Sequence, residues 1–155
     1  MTFDIPGGET INLKHVVFDY NGTIALDGKL IEGVGNLINE LSADLNFHVI
    51  TADTYGSVEQ ELAGINCKVV KIAENNQDLS KRDFVRKLGT ENTLSVGNGR
   101  NDKLMLQESI LGIAIIQSEG AYLPSIMAAD IACQSIMDVF GFFKVPNRLR
   151  ATLRN

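Results

Sequence analysis

The chain has no block of Lys or Arg, no apolar run of membrane-spanning length, no CxxC pair and no GxGxxG helix start after its first strand, and each absence closes off a class of function. Its 14 basic residues are scattered among 19 acidic ones, and the formal charge is −5 with a pI near 5.0. Neither nucleic acid nor an anionic membrane is therefore the expected partner. No stretch reaches the ~18 apolar residues a transmembrane helix needs, and MTFDIPGG has neither the basic region nor the apolar core of a signal peptide. The expected compartment is the cytoplasm. Cys67 and Cys133 sit singly in apolar, strand-like segments, where a free buried thiol is the ordinary reading. Repeats, low-complexity tracts and linkers are missing as well. What remains is 155 residues at 45% hydrophobic composition, the size of one domain spanning 1–155 with a sizeable core.

The apolar pattern predicts an alternation of strands and helices. Two short strands about Pro6-Gly7-Gly8 lead into a first apolar strand at 15–20, and Asp27-Gly28, flanked by alternating apolar residues, has the form of a tight hairpin. Helices are predicted at 33–43, around Val58 and Leu62, and at 79–88, 101–109 and 120–128; strands at 47–53, 68–73, 93–98, 111–117 and 130–135. One or two short helices close the tail. Strands this continuously apolar are covered on both faces, so the expected fold is α/β: a three-layer, Rossmann-like parallel sheet of five or six strands with helices on both sides and a small hairpin flap. Ligands of such sheets bind at the carboxyl ends of the strands, where strand order reverses.

The polar residues that follow the apolar runs are thus the ones to collect. They are Asp19, Tyr20, Asn21, Gly22 and Thr23 after the first strand, and Thr51, Ala52 and Asp53 after the second. Lys81 lies near the start of the helix after the third, and Gly97 to Asp102 follow the fourth. Singly, each reads as a cap, a turn or a solvated charge. Together they suit phosphoryl transfer: an ionised Asp can attack phosphorus, while an ammonium, backbone N–H groups and Mg²⁺ neutralise the peripheral oxygens. Asp19 and Asp102 can supply carboxylates to the metal, and Lys81 balances charge between Asp19 and phosphate. Thr51 with the N–H groups of Asn21, Gly22, Thr23 and Ala52 would hold phosphate oxygens, and Gly22 lets the backbone approach without a Cβ.

The strand ending in DYNGT, the strand ending at Thr51, a lysine about thirty residues on and the loop GNGRND resemble the four motifs of the haloacid dehalogenase (HAD) superfamily of aspartyl-phosphate enzymes. They are most similar to those of its P-type ATPase branch: DKTGT, Thr-Gly-Asp, Lys and GDGxND. The resemblance covers roughly 15–135, and soluble stand-alone relatives end in a segment like PNRLRATLR. It implies that Asp19 is the nucleophile, Thr51 a phosphate-binding hydroxyl and Lys81 the charge-balancing lysine, with Lys87 as a rival for that role. It also implies that Asn98, Asn101 and Asp102 lie in the Mg²⁺ loop, and that the metal ligands are drawn from Asp19, Asn21, Asn98 and Asp102. The implied protein is a cytoplasmic Mg²⁺-dependent phosphohydrolase or phosphotransferase acting on a phosphorylated small molecule or macromolecule. The alternative is a degenerate relative that binds, regulates or scaffolds.

Two positions depart from the family's pattern. Asn21 stands where an Asp commonly serves as acid and base, which is typically worth ~10²–10⁴ in rate. P-type ATPases have a Thr there, and their phospho-aspartate is long-lived. Asn98 stands where GDGxND has a metal-binding carboxylate, and an amide is a poorer ligand for a hard cation unless Asp102 or Asp53 compensates. Both changes point to slow turnover. The 32 positions from Asp19 to Thr51 and the 30 from there to Lys81 are each consumed by one crossover, leaving no room for a cap domain. An open site suits macromolecular substrates or a homo-oligomer joined through the hairpin or through Phe140, Phe142 and Phe143, whose alternative is packing against the sheet. His15 and His48 fall at the amino ends of strands, away from the site, and Arg100 is either a substrate contact or an exposed loop charge.

Overall fold

The computed structural model describes residues 1–53 and 56–155. The chain opens with an antiparallel pair, β1 (Thr2–Asp4) and β2 (Thr10–Asn12), and continues into β3 (His15–Asp19). A hairpin follows, β4 (Ala25–Leu26) and β5 (Lys29–Leu30), whose two turn residues, Asp27 at φ 50 and Gly28 at φ 78, have the left-handed backbone that Asp-Gly favours in tight hairpins. Thereafter helices and strands alternate: α1 (Val34–Leu41), β6 (Asn46–Thr51), α2 (Ser57–Glu61), β7 (Cys67–Lys71), α3 (Gln77–Leu88) and β8 (Thr93–Gly97). The second half comprises α4 (Lys103–Glu108), β9 (Leu111–Ile115), α5 (Leu123–Ile126), β10 (Ile131–Cys133), α6 (Ile136–Lys144) and α7 (Pro146–Leu153).

Six of these strands form one sheet in the order β10-β9-β8-β3-β6-β7, every pairing parallel, as the unbroken apolar runs require. From β3 the chain builds outward through β6 and β7, then returns to the other side and builds outward through β8, β9 and β10. Strand order therefore reverses between β3 and β8, which places the end of β3 and the loop after β8 at the switch point where such sheets bind ligands.

Alternation along the strands splits the core into two layers. Val17 and Ile50 pack with Val85 and Met105 beneath α3 and α4, whereas Val16, Phe18, Phe47 and Val49 join the larger cluster under α1, α2, α6 and α7. Phe140, Phe142 and Phe143 belong to that larger cluster and are all buried, with Phe18 and Phe140 in ring contact at 5.8 Å. The tail is thus core packing and offers no aromatic contact to a second copy. His15 and His48 meet on the other face, ring nitrogens 3.2 Å apart, with the edge of Phe84 against His48. Cys133 is buried and Cys67 half-buried, both as free thiols.

Most boundaries shift by a residue or two from expectation, and two helices differ in character. The helix expected at 101–109 begins as a 3-10 turn over Arg100–Asp102, because the Asp102 side chain folds back onto its own loop. The helix expected at 120–128 is a single turn with Pro124 at its start, held by the Ser125 hydroxyl donating to the carbonyl of Gly99 at 2.8 Å. No helix among the described residues is long and apolar enough to cross a membrane.

Candidate active site

β3 ends at the switch point with Asp19, and alternation along the strand places it on the face that α3 covers. Lys81, in the second turn of α3, reaches back beneath the strand ends. Its Nζ lies 2.5 Å from Asp19 Oδ1 and 2.6 Å from Asp102 Oδ1. The ammonium is 1% exposed, a position a cation tolerates only when paired. Lys87, the rival, is exposed on the far side of the helix.

The two carboxylates are not equivalent. Asp102 is 0% exposed, and its second oxygen accepts the backbone N–H groups of Asn98 at 2.9 Å and Gly99 at 2.7 Å. Gly97 beside it carries no Cβ because one would fall 2.4 Å from the Asp102 carboxyl carbon. Asp19 keeps 13% of its side chain exposed and looks into the cavity. One ammonium shared by two carboxylates leaves a surplus negative charge. Burial, then repulsion from Asp102, push the Asp19 carboxyl up to about 6, against the pull of Lys81 and a hydrogen bond from the backbone of Tyr20. Burial works against the Lys81 ammonium, but attraction to Asp19 and Asp102 outweighs it and raises the lysine well above its ordinary range. The lysine gains from two partners, while Asp19 shares its one ammonium with Asp102.

Around Asp19 lies an open cavity of about 470 Å³ lined by Tyr20, Asn21, Thr51, Ala52, Lys81 and Asn98, among others. The Thr51 hydroxyl accepts the N–H of Asp53 at 3.0 Å, which leaves its own proton to donate. Thr23 Oγ1 lies 3.4 Å from both Asp19 Oδ2 and Asn98 Oδ1, and Asn98 is oriented by donating its amide to the carbonyl of Gly120 at 3.0 Å. Gly22, at φ 78, comes so close that a Cβ would stand 2.2 Å from Asn98 Nδ2, so this loop crossing demands glycine.

The structure thus gathers Asp19, Asn21, Thr51, Ala52, Lys81, Asn98 and Asn101 at one cavity and sets four other residues differently. Asp102 does not line the cavity: with one oxygen on Lys81 and the other on two backbone donors, it is a pin for the lysine and the 97–102 loop. The N–H groups of Gly22 and Thr23 are already spent on the carbonyls of Ala25 and Tyr20, at 2.8 and 3.3 Å. Arg100 is exposed and lines a neighbouring cavity.

Sequence reasoning gave no role to several residues. Gln117, two residues beyond β9, donates to the carbonyls of Gly22 and Thr23 at 3.1 and 2.9 Å and accepts the N–H of Ile136 at 2.8 Å, tying the loop after Asp19 to α6. Tyr20 donates its hydroxyl to Gly28 in the hairpin turn at 3.1 Å and so holds the flap beside the cavity. Glu74 and Gln77 also line it. A polar residue just after an apolar run was the available signal for Gln117; Glu74 and Gln77 had none.

Among the described residues no three His, Cys, Asp or Glu side chains gather as a metal cluster. The donor set does fit a hard cation of modest affinity, since Asp19 Oδ2 and Asn98 Oδ1 converge on the same hydroxyl beside a site of surplus negative charge.

A parallel sheet with an Asp–Lys pair at its switch point and no cap inserted between the strands defines the uncapped haloacid dehalogenase-like class. No family model matches the chain. It is 34% identical over 92 residues to an uncharacterized protein of Methanocaldococcus jannaschii, covering 57% of this chain and 99% of that one. It is 32% identical over 128 residues to a soluble P-type ATPase-like phosphatase of the same organism, covering 79% of this chain but 46% of that protein, so the chain spans about half its length. The cobalt-bound deoxy-D-mannose-octulosonate 8-phosphate phosphatase of Haemophilus influenzae superposes with a TM-score of 0.70 over 93% of this chain and 94% of that one, at 15% identity. The fold is that of the haloacid dehalogenase-like proteins, and over those 128 residues the sequence is similar to the soluble P-type ATPase-like phosphatase.

Proposed function

We propose that the chain is a phosphohydrolase or phosphotransferase that works slowly through a phosphorylated Asp19 and uses Mg²⁺. The observation that carries the reading is the Asp19 carboxylate at the switch point, open to the cavity on one oxygen and held by a buried lysine on the other. An Asp19 oxygen attacks phosphorus in line with the leaving oxygen. The P–O bond to the leaving group breaks, and its alkoxide takes a proton from solvent. Water then attacks the phosphorus of the acyl phosphate, phosphate departs, and Asp19 is regenerated. Lys81 counters the charge on Asp19 and on the transferring group, and the Thr51 hydroxyl with the N–H groups of Asn21 and Ala52 holds the peripheral oxygens. Asn21 can neither protonate the leaving group nor deprotonate water, so both half-reactions lack the acid–base help worth ~10²–10⁴. Asp19, Asn98 and the backbone carbonyl of Asn21 are the donors for Mg²⁺, which when bound would supply positive charge to the phosphoryl oxygens.

The test is hydrolysis of 4-nitrophenyl phosphate with and without Mg²⁺ by wild type and Asp19→Asn. A metal-dependent rate that the variant loses supports the reading; equal rates refute catalysis. A second reading, a relative that binds phosphate or a cation with little turnover, is favoured by Asn98 and by the enclosure of Asp102, which leave Asp19 as the one carboxylate of the Lys81 cluster that faces the cavity. Beryllofluoride binding without turnover would select it.

A further inference from the structure

The chemical character of the substrate beyond its phosphate can be read from the rest of the cavity wall. Besides Asp19, the side chains there include the carboxylates of Glu74 and of Asp53, which accepts the Ser57 hydroxyl and the Val58 N–H at 3.0 Å each, and the neutral polar groups of Asn21, Gln77 and Asn101. Asp53 follows β6 and Glu74 follows β7, so both project from the half of the switch-point edge away from Asn98. Among the described residues the one cation lining this cavity is Lys81, and its ammonium is committed to two carboxylates at 2.5 and 2.6 Å. Asn101 donates its amide to Gln77 at 2.7 Å, and this neutral bridge stands where the cavity adjoins a second one lined by Glu74, Asn76, Asp78 and Arg100. Even there two carboxylates face a single guanidinium. A leaving group with its own negative charge would enter this wall against like charges and find no uncommitted cation in the first cavity. Hydroxyl groups meet amides that both donate and accept, and an ammonium meets carboxylates.

Resting on the phosphatase reading above, we propose that this site takes phosphomonoesters whose leaving group carries no negative charge, a neutral polyol or an amino alcohol, and discriminates against those whose leaving group is anionic. This sets it apart from its fold neighbour, named for an octulosonate phosphate, whose leaving group is a sugar acid.

A matched pair tests it: 2-aminoethyl phosphate and 2-phosphoglycolate share a two-carbon leaving group and differ in ammonium against carboxylate. Each is measured with Mg²⁺ as kcat/KM, or as a competitive inhibition constant against 4-nitrophenyl phosphate where turnover is too slow. The expected result is a preference of about tenfold or more for the aminoethyl ester, equivalent to 1.4 kcal/mol. Glu74→Gln should narrow that ratio and Glu74→Lys should invert it. Equal values for the pair, a preference for phosphoglycolate, or a ratio that Glu74→Lys leaves unmoved overturns the proposal while the phosphatase reading stands. Absence of any turnover together with no binding of beryllofluoride overturns both.

Discussion

Asp19→Asn should make the protein more stable at neutral pH, although it removes a hydrogen bond at 2.5 Å from a buried lysine. The sign follows from the direction of the shift. A carboxyl whose folded value is raised from 3.8 to about 6 stabilises the fold fully below 3.8, and that contribution is lost as pH rises through 6. Between those values the folded state holds a proton that the unfolded chain has released. Two pKa units are about 3 kcal/mol, so holding Asp19 ionised at pH 7.5 costs the fold about that much. A neutral amide of the same shape escapes the cost and leaves Lys81 with Asp102 as a balanced pair. The gain should therefore be about 3 kcal/mol at pH 7.5 and shrink to about 1 at pH 4.5, where most Asp19 is already protonated in the fold. Asp102→Asn should do the reverse. Its amide can still accept the two backbone N–H groups but must turn its NH₂ toward a buried ammonium, a loss of about 3 kcal/mol. Urea unfolding of wild type and the two variants, in chelator at both pH values, measures the differences directly, and other titrating groups cancel in each comparison. An Asp19→Asn protein less stable than wild type at pH 7.5, or a gain that does not shrink on acidification, would refute the picture of one ammonium stretched between two carboxylates.

Lys81→Met leaves Asp19 and Asp102 buried without a counter-charge, and should cost about 3–5 kcal/mol by urea unfolding, with a second change, Asp19→Asn, recovering part of it. Asn21→Asp restores a carboxylate to the loop beside Asp19 and should raise steady-state 4-nitrophenyl phosphate hydrolysis by ~10² or more; no increase would mean that position 21 does not reach the reacting oxygens. Asn98→Asp should tighten Mg²⁺ by an order of magnitude in a titration followed by thermal unfolding, because a charged oxygen replaces an amide oxygen at the same place. His48 is held neutral, pushed down from 6.5 to about 4 by burial, then by His15 and Lys68, so its contribution is present above 6.5 and lost as pH falls toward 4. Relative to His48→Leu, wild type should therefore lose about 2 kcal/mol between pH 7.5 and pH 5 in urea unfolding.

The order of elements was legible because the central strands are apolar on two faces and many breaks are marked by Gly, Asn or Asp; the Asp27-Gly28 hairpin is the clearest instance, its local chemistry favouring the turn. The position of Lys81 beneath the strand ends was legible too, since it shares its helix with a buried apolar face at Val85, which turns that end of α3 toward them. Which oxygens of Asp102 are already spoken for was not legible. Periodicity places a carboxylate in a loop but does not reveal that the loop will turn back on it with two N–H groups, a contact that depends on the absence of a Cβ at Gly97. The same limit hid Gln117, whose three partners come from two segments separated from it by about a hundred and about twenty positions.

Those two unforeseen contacts bear on how the site works. Asp102 fixes Lys81 from behind and Gln117 fixes the Asn21–Thr23 loop from the side, so Asp19 is aimed by groups that need not touch a substrate. Both supports are internal to the fold and neither depends on a metal ion. A chain with amides at positions 21 and 98 can therefore keep Asp19 in place whatever those amides do to acid–base help and metal affinity. Geometry and rate become separable here: mutation of Gln117 to Leu should lower phosphorylation of Asp19 by loosening the loop, while Asn21→Asp should speed turnover without altering how Asp19 is held. If Gln117→Leu instead left beryllofluoride affinity and turnover both unchanged, the aim of Asp19 would have to come from its strand alone.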